Sequence, residues 1–283
     1  MQEFPMTDVL VVAHHERTDA IELVRSIAPW LAERGHRLFV SEEDAKALDL
    51  TDCDRADDLL VPGLALSIGG DGTMLRAVRR VATLGTPVIG VNVGALGYLT
   101  QVEPPALIAS LDRYFSGKAT IEERMMLAVE RVGGEASLAL NEVVVEKSEA
   151  GHTVHLLVTI DGADFTTYAA DGLIVATPTG STAYSLSARG PIVSPSHRAI
   201  LVTPVSPHML FDRSLVLGPD ESIEIEVLGH RNAELTIDGG HIARLVPGDV
   251  IRCTASETRA RFVRFGASPF HQILKAKFGL SDR

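Results

Sequence analysis

Cysteine is scarce. Cys53 and Cys253 are the only two in 283 residues, they stand far apart, and no CxxC pair occurs. This argues against a disulfide framework and a thiolate zinc site, and a reduced setting is the simpler expectation. Basic clusters are also missing. The net charge is −11 at pH 7, and the runs Arg76 to Arg80 and Arg259 to Arg264 are short and diluted by apolar residues. Binding to nucleic acid calls for a basic stripe, so no nucleic-acid partner is expected. No apolar stretch approaches the length needed to cross a bilayer, and the opening MQEFPMTDVLVVAHH lacks the basic segment and long apolar run of a secretory signal. The expectation is a soluble, cytoplasmic protein without a membrane partner. Common signatures are absent as well. Gly117-Lys118 lacks the earlier glycine of a P-loop and runs into Ala119, and no G-x-S-x-G elbow surrounds Ser181.

What is present suits a soluble globular chain of one or two domains, with 46% hydrophobic and 22% charged residues. Its first part alternates strand and helix signals. Val9 to Val12, His36 to Val40, Leu64 to Ile68 and Pro87 to Val91 are short apolar runs that read as buried strands. A helix is expected from Thr18 and Asp19, with Glu22 completing a capping box and Ile21, Val24, Ala28 and Leu31 on one face. Pro29 is expected to kink it and Gly35 to stop it. Residues 41 to 58 are acidic and polar and suggest a solvated loop or short surface helix. Thr73 to Thr83 is a second helix, with Met74, Leu75, Val78 and Val81 inward. Strands alternating with helices indicate a Rossmann-like α/β domain with a parallel sheet, over residues 1–100.

After about residue 118 the runs become short and β-branched or alternating: Leu138 to Val145, Val154 to Ile160, Phe165 to Ala169, Ile223 to Leu228, Leu235 to Ile237 and Val250 to Thr254. Asp161-Gly162 is a strong hairpin signal between two of them. Residues 101–255 are therefore expected to form a β-rich, sandwich-like domain. The segment 256–283, helical from Ser268 to Leu280, is expected to return to the first domain.

The sharpest local feature is Gly69-Gly70-Asp71-Gly72-Thr73, where a strand ends and a helix begins. Glycines let the main chain approach a ligand closely, and free N–H groups at a helix start bind phosphate oxygens. Asp71 in such a turn fits a proton acceptor for an attacking hydroxyl, or a group that helps hold a nucleotide's cation. A structural turn with Asp71 capping the helix fits the spacing equally well. A second constellation runs from Asp171 through Thr177-Pro178-Thr179-Gly180-Ser181-Thr182-Ala183-Tyr184-Ser185-Leu186-Ser187. Its hydroxyls and N–H groups suit a nucleotide's polar edges, with Tyr184 able to stack, although a well-capped turn with Tyr184 in the core explains it too. Asn141-Glu142 precedes a strand pattern, and a solvated pair is the default reading. His152 and His155 would face opposite sides of a strand, which disfavours a shared metal. His14-His15 ends the first strand, where a surface role is expected.

Taken together, these segments resemble the NAD kinase family, in the right order over most of the chain. The glycine turn is shared with lipid kinases and nearly with phosphofructokinases; the Thr177–Ser187 run is far more specific. Asn92-Val93-Gly94-Ala95-Leu96-Gly97-Tyr98-Leu99 also looks like a family segment. The resemblance implies ATP-dependent phosphorylation of the 2′-hydroxyl of the adenosine ribose of NAD, giving NADP. It gives Asp71 the proton, sets the backbone of Gly69, Gly70 and Gly72 near the transferred phosphate, and puts Arg76 in the first turn after it. It places Asn141 and Thr182 on the adenine and Glu142 on the ribose. Asp171, Ala183, Tyr184 and Ser187 fall towards the nicotinamide half, with Ser185, Leu186 and His152 counted among the nucleotide contacts. Tyr98 and Leu99 would lie against the dinucleotide. It implies a divalent cation, magnesium, carried mainly by the triphosphate rather than by protein ligands, and a homo-oligomer, dimer or tetramer. Ala95, Arg189 and Gly240 depart from the family pattern, which bears on the contacts to nicotinamide and diphosphate. The alternatives are another kinase with this glycine turn, acting on a lipid or sugar, and a non-catalytic NAD(P)-binding sensor.

Overall fold

The computed structural model describes residues 6–49, 54–56, 60–95, 97–266 and 270–280. Cys53 and Leu96 lie outside them. The chain divides into two compact units, one of residues 1–123 with 260–283 and the other of 124–259. The first unit extends past the expected residue 100, because a helix and the start of a long strand belong to it.

In the first unit the order is β1 (Asp8–Ala13), α1 (Thr18–Ala32), β2 (Arg37–Val40), α2 (Glu42–Ala47), β3 (Asp54–Arg55), β4 (Leu64–Gly69), α3 (Asp71–Val81), β5 (Val88–Asn92), α4 (Leu107–Phe115) and the start of β6 (Thr120–Arg131). All pairings of β1 to β5 are parallel, in the order β5-β4-β1-β2-β3. The sheet carries its core on near-continuous apolar strands: Val9, Val11, Leu64, Leu66, Ile68, Ile89 and Val91 are all fully buried. Strands covered on both faces need such runs.

The helices differ from expectation in detail. The N-cap of α1 is Arg17, with no side-chain cap bond, so the expected capping box is not formed. The Asp19 carboxylate instead pairs with Arg17 and accepts from Ala20 N at 3.1 Å. The buried face is Ala20, Val24, Ile27 and Leu31, one residue out of phase with the expected Ile21 and Ala28, and the helix runs through Pro29 to Ala32. Helix α3 begins two residues early, at Asp71, and buries Thr73, Met74, Ala77, Val78 and Val81 while Leu75 stays half-exposed. The acidic stretch after β2 holds the short α2, capped by Ser41 Oγ, which accepts from Asp44 N at 3.0 Å. Asp44 is only 3% exposed, so this stretch is not a purely solvated one.

The second unit continues β6 and adds β7 (Ala136–Ala139), β8 (Glu142–Lys147), β9 (Val154–Ile160), β10 (Ala163–Ala170), β11 (Gly172–Ala176), α5 (Tyr184–Ser187), β12 (Ile200–Val205), β13 (Leu215–Leu217), β14 (Ile223–Leu228), β15 (Ala233–Ile237), β16 (Gly240–Leu245) and most of β17 (Val250–Arg264). One antiparallel set runs β10-β9-β14-β17, and the other runs β13-β12-β11-β8-β15-β16. The β9–β10 hairpin turns on Asp161 (φ 48°) and Gly162 (φ 77°), the paired positive φ of a type I′ turn. Alternate residues such as Ile223, Ile225 and Val227 enter the core with Leu156, Val158, Leu173 and Val175.

Strand β17 then returns to the first unit, where Phe262 pairs in parallel with Val88 of β5 and Val263 joins the core. Helix α6 (Phe270–Lys277) follows, and Lys277 Nζ lies 4.7 Å from the Tyr98 ring centroid.

Candidate active site

The glycine turn lies at the carboxyl end of β4. A side chain at Gly69 would collide with Thr73 of α3, so the strand enters the helix this tightly only without a Cβ. Asp71 is the first residue of α3, and Gly70 is its N-cap. Asp71 therefore does not cap the helix through its side chain. Its carboxylate reaches across to the next loop, where Oδ2 accepts from Tyr98 N at 2.8 Å and Oδ1 from Leu99 N at 3.0 Å. Gly97 makes the approach possible, since a Cβ there would strike Asp71 Oδ1. A carboxylate gripped at both oxygens has a fixed direction and keeps lone pairs for a further donor. Leu99 is 3% exposed and gives its main-chain N–H to Asp71. Tyr98 is half-buried, and burial together with the Asp71 charge raises its phenol above the ordinary range.

Arg76, one turn further along α3, points towards β1. Its Nη2 is bonded to Asp44 Oδ1 and lies 2.9 Å from His15 Nε2, while His15 Nε2 is 2.7 Å from the same Asp44 oxygen. His15 is thus part of a polar cluster rather than a solvated surface group. Its neighbour His14 packs beside the glycine turn, donating its main-chain N–H to Ile68 O at 2.9 Å.

The second unit has its own polar centre. The Asp238 carboxylate accepts from Leu140 N at 2.8 Å, Asn141 N at 2.7 Å and Glu142 N at 3.1 Å. Asp238 holds φ at 48°, a left-handed value that Asp tolerates. These bonds fix Asn141-Glu142 at the start of β8, so the pair is not solvated: Asn141 is half-buried and Glu142 is 7% exposed. Burial, then the Asp238 charge, pushes the Glu142 carboxyl up to about 7, against the opposing pull of the Tyr184 main-chain N–H. Its Oε2 is buried without a hydrogen-bond partner among the described residues. A buried acceptor in that state is costly unless something donates to it.

The Thr177–Ser187 run wraps against the same strand start. Thr177 N donates to Asn141 O at 2.9 Å, Thr177 Oγ1 donates to Leu140 O at 2.6 Å, and Gly180 lies so close to the Asn141 backbone that no Cβ fits. Ser181 Oγ, bonded to Pro178 O and Val193 O, serves the turn. Ser185 is fully buried, with its Oγ 3.2 Å from Thr203 Oγ1, and ties the run to β12. Thr182, Ala183 and Leu186 are half-buried, while Ser187 and Tyr184 are exposed, so Tyr184 is not a core residue. Asp171 pairs with Lys147 Nζ at 2.6 Å, a partner absent from the sequence reading. His152 is exposed and lies just before β9 rather than on a strand.

A glycine turn opening onto a helix, with a fixed carboxylate at the carboxyl end of a parallel sheet, is the machinery of a phosphotransferase with an alcohol group as acceptor. The chain matches the ATP-NAD kinase N-terminal domain model over residues 9–119 and the ATP-NAD kinase C-terminal domain model over residues 140–265. It belongs to the NAD kinase family. The NAD kinase of Moorella thermoacetica is 42% identical over 96% of this chain and 89% of its own length, and that of Heliobacterium modesticaldum is 40% identical over 96% and 98%. Yeast NADH kinase, solved in complex with NADH, superposes with a TM-score of 0.88 at 25% identity, covering 99% of this chain and 90% of that one. These matches set aside a lipid or sugar kinase that shares only the glycine turn.

Proposed function

We propose that the chain transfers the γ-phosphoryl group of ATP to the 2′-hydroxyl of the adenosine ribose of NAD, with Asp71 as proton acceptor. The O2′–P bond forms as the bond from phosphorus to the β–γ bridging oxygen breaks. ADP leaves, and the hydroxyl proton passes to the carboxylate. The observation that carries this reading is the Asp71 carboxylate held at both oxygens by Tyr98 N and Leu99 N. Phosphoryl transfer needs alignment and charge stabilisation more than covalent help, and a carboxylate of fixed direction supplies alignment.

In the first unit, the N–H groups at the start of α3, with Gly69, Gly70 and Gly72, are assigned to the transferred phosphate and Arg76 to the donor's phosphates. In the second unit, Asn141 and Thr182 take the adenine, Glu142 offers its unpartnered Oε2 to a ribose hydroxyl, and Asp171, Ala183, Tyr184 and Ser187 follow the dinucleotide. The described residues form no group of three or more His, Cys, Asp or Glu side chains fit to hold a metal. The divalent cation, magnesium by its preference for phosphate oxygens, is assigned to the triphosphate. No helix among the described residues is long and apolar enough to cross a membrane; the setting proposed is the cytoplasm. A homo-oligomer, dimer or tetramer, is the assembly proposed, and light scattering on the purified protein tests it.

Incubation with ATP, magnesium and NAD is expected to yield NADP in an enzyme-linked assay. Asp71→Asn is expected to lose about 10²–10⁴-fold in kcat while NAD affinity stays near wild type. Unchanged turnover in that variant would remove Asp71 from the role.

A further inference from the structure

We propose that Asp44 is a positioning residue that sets the Arg76 guanidinium for the phosphoryl donor, with His15 as the third member of the device. This rests on the assignment of Arg76 to the donor's phosphates. Three separate elements meet here: α3 brings Arg76, the end of β1 brings His15, and α2 brings Asp44. Asp44 is the fixed point. Its side chain is 4% exposed; Oδ1 takes both Arg76 Nη2 and His15 Nε2, and Oδ2 accepts from Ser41 Oγ at 2.8 Å. Ser41 is itself the cap of α2, so the carboxylate is anchored before Arg76 reaches it.

The Arg76 side chain is nevertheless 38% exposed; beside the contacts of Nη2 with Asp44 and His15, Nη1 makes a long bond to Ala13 O at 3.5 Å. One edge of the fork is pinned, and the remainder faces outward at the carboxyl end of the sheet, the end that carries the glycine turn. An arginine side chain loses much rotamer freedom when it is ordered, and anchoring one nitrogen removes part of that cost before a phosphate arrives. The buried carboxylate also offsets the positive charge, so Arg76 acts through directed N–H groups rather than as a point charge. A lysine, a compact point charge on a flexible stem, lacks the planar fork that holds the anchor along one edge and presents directed N–H groups along another, and is a poor substitute.

Neither the surface reading of His14-His15 nor the acidic character of residues 41 to 58 hinted at this arrangement. The test is steady-state kinetics with ATP and NAD varied separately. Asp44→Asn is expected to raise the KM for ATP about tenfold and to leave the KM for NAD within about twofold, because the bond to Arg76 weakens once the charge is gone. Arg76→Lys is expected to do the same with an unchanged melting temperature. In an Arg76→Ala background, Asp44→Asn should add nothing further to the KM for ATP. Additive losses in the double variant, or equal rises in both KM values, would overturn the positioning role. So would an unimpaired Asp44→Asn beside an impaired Arg76→Ala, whereas an unimpaired Arg76→Ala overturns the underlying assignment and the proposal with it. Should Asp44→Asn fail to fold, Ser41→Ala carries the test: it keeps the charge and releases Oδ2, so about a threefold rise in the KM for ATP is expected, and no change overturns the idea.

Discussion

Glu142 is a carboxylic acid that is half protonated near neutral pH, because burial and the adjacent Asp238 charge oppose its ionisation. The linkage has a definite sign. The folded state binds the Glu142 proton more tightly than the unfolded chain, so the stabilisation is fully present below about pH 4.5 and is lost as pH rises through about 7. The loss amounts to at most about 3 kcal/mol. Urea unfolding at pH 5 and pH 8 should show it in the wild type and show a flatter profile in Glu142→Gln. Asp238→Ala should act in two ways at once. It orphans the N–H groups of Leu140, Asn141 and Glu142 and should cost about 2–5 kcal/mol, read as a lower urea midpoint. It also removes the like charge that helps hold the Glu142 proton. The sequence concealed both effects. Asn141-Glu142 reads as an ordinary polar pair, and nothing beside Asp238 in the sequence says which amides its carboxylate will cap almost a hundred residues earlier in the chain.

At the scale of the element, the two glycine-bearing turns behave as opposites. At Gly180 a Cβ would sit 2.8 Å from Asn141 Cα and still closer to its carbonyl. Gly180→Ala should therefore force the turn away from the start of β8 at a cost of about 1–3 kcal/mol, seen as a lower melting temperature. At Gly70 a Cβ meets nothing within 4 Å, and φ is −103°. Gly70→Ala should change stability by no more than about 0.5 kcal/mol, yet impair phosphoryl transfer, since the added methyl stands where a substrate phosphate must approach. Equal damage to stability in both variants would refute the distinction. Strand and helix identities were legible because period and punctuation agree along the chain: Val9 to Val12 and Leu64 to Ile68 are apolar runs of strand length, and Asp161-Gly162 can hardly be anything but a hairpin. Helix phase was harder. Ile21 and Leu75 look inward by composition, but tertiary packing turns Ala20 and Ala77 to the sheet instead. The small residues let the helices lie close, a demand that no apolar count reveals. Asp71 was legible as a candidate proton acceptor; the loop amide that holds it comes from a contact 27 residues away and was not.

At the scale of the whole molecule, the first unit is discontinuous. Its sheet draws Phe262 and its core draws Val263 from beyond the second unit, and Arg261 Nη1 bonds Gly85 O at 2.7 Å. A fragment of residues 1–123 should therefore lack cooperative unfolding by near-ultraviolet circular dichroism and urea titration, although it contains the entire glycine turn. A sharp transition at the midpoint of the intact chain would contradict that.

The same discontinuity has a consequence during synthesis. Strand β4 and its glycine turn leave the ribosome before the second unit, but the strand that flanks the amino end of β5 is translated only after it. Until then that edge carries open N–H and C=O groups, while Arg261 and Phe262 are still to be made. The nascent chain thus has to carry a half-finished sheet through the translation of an entire intervening unit, and slowing that stretch of translation lengthens the interval in which a stray strand could dock there.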